Sequence, residues 1–179
     1  KKRKVNISTA WIDYKKAFDS VPHDWIIDTL KMHKFDDITI RFIELTIKNW
    51  KTSINLPHNT GQITTDLFSI KTGIFQGDSP SGLLFILSLL PLSWLLKRSN
   101  LGYRIRRNII ISHLLFMDDL KVYAANDKQL ERMINIVKTF SDDIAMKFGL
   151  DKCNKLTIIK GYPTPSNNIT LNSGEELKD

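Results

Sequence analysis

The spacing of apolar positions resolves the chain into short strands and longer helices. Residues Asn6 to Asp13 read as a strand that ends on a carboxylate, and Pro22 to Lys34 and Asp37 to Trp50 repeat apolar residues at helical spacing. Two strand-like runs, Thr52 to Leu56 and Ile63 to Ile70, flank a turn at Pro57-His-Asn-Thr-Gly61. Ser79 as N-cap and Pro80 at the first helical position then open an apolar helix that runs to Arg98. Beyond it, Tyr103 to Arg106, Ile109 to Met117 and Leu120 to Ala125 read as strands, Asp127 to Lys147 as an amphipathic helix, and Lys155 to Ile159 as a closing strand. The order predicts an α+β sheet covered by helices on one face, with extra pieces inserted. Gly161-Tyr-Pro-Thr-Pro-Ser-Asn-Asn168 has linker composition, which predicts one globular unit over residues 1–161 and a linker into a following segment over 162–179.

A length of 179 residues accommodates one substantial core. The run Leu83 to Leu96, interrupted by Ser88, Pro91 and Ser93, falls short of the roughly 18 residues that cross a bilayer, so it reads as a buried helix with no membrane partner. A formal charge of +7 and a pI near 9.5 point to an acidic partner, most commonly a nucleic-acid backbone. The single cysteine, Cys153, excludes an internal disulfide, and four scattered histidines without a CxxC argue against a zinc cluster. A reducing, intracellular setting follows. The opening Lys1-Lys2-Arg3-Lys4 has the composition of a nuclear localisation signal and equally that of a solvated basic edge. With no initiator methionine and Asp13 reached after twelve residues, the chain reads as part of a longer parent.

The chemistry centres on carboxylates. In Phe116-Met117-Asp118-Asp119-Leu120, apolar strand formers stand on both sides of two adjacent aspartates, which predicts a hairpin with an acidic tip. Carboxylates crowded there repel each other and call for a compensating cation, for which Mg²⁺ with its preference for hard oxygen suits, although a plain solvent-facing turn also uses Asp. Asp13, at the end of its own strand, supplies a further carboxylate. Phosphoryl transfer uses two metals about 4 Å apart, and carboxylates from neighbouring strands can clamp both. A third segment, Gly73-Ile-Phe-Gln76-Gly77-Asp78-Ser79-Pro80-Ser-Gly82, sets a Gln-Gly pair at the mouth of a helix, where a side-chain amide can bond a base or sugar edge as the backbone passes close by. By itself the segment is equally a Gly-containing loop with a cap.

Ile-Asp13-Tyr14-Lys-Lys-Ala-Phe18-Asp-Ser, Gly-Ile-Phe-Gln76-Gly77-Asp-Ser-Pro-Ser and Phe-Met-Asp118-Asp119, followed by Phe148-Gly-Leu-Asp-Lys152-Cys153, together resemble the reverse transcriptases of non-long-terminal-repeat, LINE-like retrotransposons. The resemblance implies a polymerase right-hand palm, a ferredoxin-like βαββαβ antiparallel sheet with helices on one face, plus part of the fingers, in a fragment without most of the fingers and the thumb. It implies an RNA-directed DNA polymerase that adds dNTPs to a DNA primer's 3′-hydroxyl on an RNA template by two-metal nucleotidyl transfer, serving retrotransposition. Two Mg²⁺, with Mn²⁺ as the alternative, are the implied cofactors, and the other domains of a parent polyprotein are implied partners. Asp13 and Asp118 would be the metal pair, supported by Asp119 and the Tyr14 carbonyl. Phe18 would exclude a ribose 2′-hydroxyl, Gln76 and Gly77 would line the nucleotide pocket, and Lys152, or alternatively Lys155, would help pyrophosphate leave.

One departure concerns the helix start. The family often has Ser-Leu-Ser-Pro after Gln-Gly, whereas this chain has Asp78-Ser-Pro80-Ser-Gly82, and a helical Gly costs about 1 kcal/mol relative to Ala. Two other readings compete: an RNA-dependent RNA polymerase, with Asp19 near the ribose, and a catalytically silent nucleic-acid-binding fragment or maturase-like module. Lys15, Lys16, Arg104, Arg106 and Arg107 are candidate nucleic-acid contacts or solvated charges. Trp25, Trp50 and Trp94 are expected in the core; His23, His33, His58 and His113 are expected to be structural or at the surface, and Cys153 inert.

Overall fold

Alternation along Ile7–Ile12 (β1) turns Ala10 and Ile12 into the core and leaves Trp11 outward. The computed structural model describes residues 5–59, 61–171 and 174–178; the basic run Lys1 to Lys4 and the His58 side chain lie outside what is described. After β1 come Ala17–Ser20 (α1), His23–Met32 (α2), Asp37–Lys48 (α3), Lys51–Thr52 (β2), Asn55–His58 (β3), Gly61–Thr64 (β4) and Phe68–Ser69 (β5). They are followed by Ser81–Arg98 (α4), Tyr103–Arg106 (β6), Ile109–Ile111 (β7), His113–Phe116 (β8), Asp119–Ala124 (β9) and Asp127–Asp143 (α5). Asn154–Ile159 (β10), Tyr162–Pro163 (β11), Ile169–Thr170 (β12) and Glu176–Leu177 (β13) complete the chain.

The central sheet has the order β11-β10-β1-β9-β8 with antiparallel neighbours. Among β1, β8, β9 and β10, the fourth, first, third and second strands lie side by side, which is the split βαββαβ arrangement expected from the sequence. α5 packs on β9 and β1, and α4 packs on β8, α2 and α5. Leu120 and Val122 pair with Ile12 and Ala10 and share their inward face. Trp11, Leu114 and Phe116 occupy the opposite, uncovered face.

Several boundaries differ from the sequence reading. α4 starts at Ser81, not at Ser79: Ser79 and Pro80 form a turn, closed by the Ser81 N–H donating to the Asp78 carbonyl, and the Pro80 carbonyl accepts the first helical bond. The expected strand Ile109 to Met117 breaks at Ser112, because β7 pairs with β6 whereas β8 pairs with β9. α5 stops at Asp143, where Ala145 adopts a left-handed φ of 57° and the Met146 and Ala145 N–H groups donate to the Ser141 and Asp142 carbonyls. That pattern is a Schellman cap with Ala where Gly is usual. Trp94 is 41% exposed rather than core. The segment after Gly161, expected to be a linker, adds β11 to the sheet edge and buries Ile169, Leu171 and Leu177.

α4 has 18 residues and a mean hydropathy of 1.3, enough by length and composition to cross a membrane. Here Phe85, Leu89, Leu92 and Leu96 are fully buried at the centre of the core, which is the behaviour expected of a core helix.

At one end of the sheet, the Asp127 carboxylate accepts hydrogen bonds from Ser8 and Thr157, each at 2.5 Å, and pairs with the fully buried Lys155 ammonium at 3.4 Å. Burial works against the carboxylate's charge, but the two hydroxyls and Lys155 outweigh it and hold its pKa below the usual value. A depressed carboxyl stabilises the fold above its unfolded pKa of about 3.9 and loses that contribution as pH falls through its folded value. Chemical denaturation as a function of pH is therefore expected to show an acid limb below about pH 4 that is shallower in Asp127→Asn than in the wild type.

Candidate active site

β1 lies between β9 and β10, so its main chain is held on both edges. Its pairing with β9 reaches Ile12↔Leu120, and one further step sets Asp13 across from Asp119, at the end of the sheet where β8 and β9 turn. By the parity of the strand both project to the face opposite the helices, with Trp11 and Lys121. The β8–β9 hairpin closes through Met117 and Asp118, with Phe116↔Asp119 as its last pair. Met117 sits at φ 52°, the positive φ that a type II′ turn needs at its first loop position. For a side-chain-bearing residue that conformation costs about 1 to 3 kcal/mol.

Asp13 and Asp119 line one cleft of about 590 Å³ with Trp11, Leu114, Phe116, Lys121 and Lys152. Lys152 Nζ stands 3.7 Å from Asp13 Oδ2. A second cavity of about 520 Å³ adjoins Asp13 and is lined by Lys15, Lys16, Lys147, Asp151 and Lys152. Asp118 is half-buried in the turn itself and Asp119 is exposed. Among the described residues, no three His, Cys, Asp or Glu side chains are gathered closely enough to ligate a metal ion. The three aspartates thus occupy neighbouring strand ends without converging on one point.

Tyr14 turns away from the cleft. Its hydroxyl pairs with Ser141 Oγ at 2.9 Å and its ring meets Phe148 edge-on at 5.7 Å. Burial pushes the phenol's pKa up, so it stays protonated. Phe18 stacks on Phe85 at 4.3 Å, which fixes its ring against the core helix. The third motif is fastened beneath α1: the Gly73 N–H donates to the Val21 carbonyl and the Ile74 N–H to the Phe18 carbonyl, both at 2.8 Å. A Cβ on Gly73 would stand 2.8 Å from the Asp19 carbonyl oxygen, so this approach requires glycine. Gln76 and Gly77 follow in an exposed turn, with Gly77 at φ 103°. Gly82, the departure in the first turn of α4, faces the hairpin: its Cβ position is 3.5 Å from Met117 Cε.

The structure separates the two candidate lysines. Lys152 is solvent-accessible beside Asp13, whereas Lys155 is buried on Asp127. The motifs do not mark Trp11 and Lys121, yet the Lys121 ammonium lies 4.0 Å from the Trp11 ring centroid on the cleft wall. Two-residue alternation from Asp13 and Asp119 would have found both. Cys153, expected to be inert, contacts Asp13. Burial does push the thiol's pKa up, yet Cys153 Sγ accepts the Asp13 N–H at 3.3 Å. His23 bonds the Gly73 carbonyl, and His113 lies between Ser93 and Ser112, both structural roles as expected.

The family described as reverse transcriptase (RNA-dependent DNA polymerase) matches residues 1–171. A Drosophila melanogaster protein named retrovirus-related Pol polyprotein from type-2 retrotransposable element R2DM is 30% identical over 152 residues, covering 85% of this chain and 14% of that protein. A Popillia japonica Pol polyprotein from type-1 retrotransposable element R2 is 28% identical over 146 residues, covering 82% of this chain and 23% of that protein. The chain therefore spans less than a quarter of the length of either relative. Among solved structures, Candida tropicalis telomerase with a TWJ fragment of telomeric RNA superposes with a TM-score of 0.65 at 15% identity, over 99% of this chain and 30% of that one. Apo telomerase from the same organism, truncated from its C-terminal domain, gives 0.63 at 17% identity, over 94% and 33%. At these identities the likeness is one of fold.

The contrast between the lysines is testable by thermal or chemical denaturation. Lys155→Ala is expected to destabilise the chain by about 1 to 3 kcal/mol, because it opens a cavity and leaves the half-exposed Asp127 carboxylate without its cation. Lys152→Ala, at an exposed position, is expected to stay within about 0.5 kcal/mol of the wild type.

Proposed function

Since the chain belongs to the reverse transcriptase family, we propose that it is the catalytic palm of an RNA-directed DNA polymerase, adding dNTPs to a DNA primer's 3′-hydroxyl on an RNA template in the service of retrotransposition. The observation that carries this reading is the meeting of Asp13 with the Asp118-Asp119 hairpin at the ends of adjacent central strands, with Lys152 beside Asp13.

The donor set fits divalent metal. Asp13, Asp118, Asp119 and the Tyr14 carbonyl are hard oxygen ligands, and Mg²⁺ is commonly held by one or two carboxylates completed by substrate phosphates rather than by an all-protein cage. This accords with strand-end aspartates that do not form a cluster among themselves. When bound, two Mg²⁺, or Mn²⁺ in their place, lower the pKa of the primer hydroxyl and offset charge on the triphosphate.

The remaining steps fall to this chain's own side chains. Asp13 and Asp118 orient the reacting groups, with Asp119 supporting them at the same hairpin. Lys152 supplies a positive charge where the leaving pyrophosphate gathers negative charge. Phe18, backed by Phe85, presents a rigid wall to the sugar and disfavours a 2′-hydroxyl, while Gln76 and Gly77 line the base and sugar. The net positive charge of the chain favours template and primer backbones. Lys1 to Lys4 would direct the parent polyprotein to the nucleus, and the polyprotein's other domains would supply the rest of the fingers and the thumb.

Primer extension on an RNA template with dNTPs and Mg²⁺ tests the reading in the full-length parent protein. The Asp118→Asn/Asp119→Asn variant is expected to lose about 10³-fold or more in rate. Equal extension by variant and parent would remove the carboxylates from the reaction, and no extension by a folded, RNA-binding parent would favour a catalytically silent module. In the active parent, Phe18→Ala is expected to raise ribonucleotide incorporation relative to deoxynucleotide by about tenfold or more. Unchanged sugar discrimination would take Phe18 out of the gate.

A further inference from the structure

The strand that delivers Asp13 runs out of ladder just before that residue. Pairing of β1 with β10 ends at Trp11↔Asn154, and from there the turn between Lys147 and Cys153 takes over. The Gly149 N–H donates to the Asp13 carbonyl at 2.7 Å, the Asp13 N–H donates to Cys153 Sγ at 3.3 Å, and the Lys15 N–H donates to the Lys147 carbonyl at 2.8 Å. The Gly149 carbonyl in turn accepts from the Lys152 and Cys153 N–H groups at 2.8 and 3.1 Å, which closes the turn on itself. Both backbone polar groups of Asp13 are thus held by one small unit that also carries Lys152.

Gly149 has a second relation to Asp13. A Cβ built on it would stand 2.7 Å from Asp13 Oδ2, closer than packed carbon and oxygen atoms approach. The same oxygen lies 3.7 Å from Lys152 Nζ. Gly149 is not among the residues of positive φ, so its backbone is one that alanine adopts without strain. Its lack of a side chain therefore answers to space and not to conformation. The obstructing atom is the tip of a side chain, which can swing aside without moving the fold.

We infer that Gly149 is a positioning residue for the Asp13 carboxylate: the space left by its missing side chain sets where Oδ2 stands, and the turn around it couples Asp13 to Lys152. The inference rests on the reading of Asp13 as a metal-binding carboxylate.

The test is an Mn²⁺ titration of the 179-residue chain. It is followed by paramagnetic broadening of the Asp118 and Asp119 backbone resonances in the wild type, Gly149→Ala and Asp13→Asn, with thermal unfolding of each in parallel. Gly149→Ala is expected to unfold within about 2 °C of the wild type and to need roughly tenfold more Mn²⁺ for half-broadening, the loss usual for groups that orient a ligand. An unchanged midpoint in Gly149→Ala, with Asp13→Asn weakened, overturns the positioning role and leaves the metal reading standing. Loss of affinity and stability together in Gly149→Ala also overturns it, because the effect is then one of folding. A wild type that shows no broadening, or an Asp13→Asn chain that titrates like it, removes the metal reading and this inference with it.

Discussion

The structure depends on β1 being held along both edges at once. Main-chain hydrogen bonds to β9 and β10 fix the strand's register, and inward parity fixes which residues meet α5 and which meet the cleft. A slip of one residue would send Ala10 and Ile12 out and Trp11 in, so the burial of the core and the direction of Asp13 are a single constraint. The hairpin that carries Asp118 and Asp119 is attached to that same strand, which sets both carboxylate-bearing segments by one register rather than by two independent foldings.

The two ends of the sheet handle charge differently. At the end bearing Asp127, the carboxylate, two hydroxyls and a buried ammonium satisfy one another, and the charges are spent on structure. At the end bearing Asp13, the carboxylates lie in open clefts among accessible lysines. A carboxylate already saturated by partners has little left for a ligand, whereas partly hydrated ones at a strand end keep lone pairs available. The segregation leaves accessible carboxylates on the rim and ties the strands together at the opposite end.

Much of this was legible in the sequence because period-two alternation and the order of motifs report strands directly. The strand before Asp13, the hairpin at Asp118 and the amphipathic α5 all follow from local spacing. Elements set by distant partners were less visible. Ile109 to Met117 is one apolar run, yet its halves belong to different sheets and only the pairing of β7 with β6 divides them. Ala145 ends α5 in a backbone state that sequence rules assign to glycine, so apolar spacing alone carries the helix four residues past its end at Asp143. Trp94 lies on a helix that is apolar nearly all round, where spacing does not reveal which face is covered. Lys152 and Lys155 look alike in sequence; the pairing of Lys155 with Ala10 turns it inward, whereas Lys152 stays at the rim in the turn before β10.

The bonds that set β1 in its register are peptide bonds' own donors and acceptors, common to every residue but proline. Side chains along the sheet need only keep their inward or outward sense and their bulk. Such an arrangement can exchange most of its residues over long descent and still keep the same strand order. It is a scaffold whose inheritance lies in hydrogen-bond pattern more than in spelling, which is why lineages sharing few letters can still share its shape.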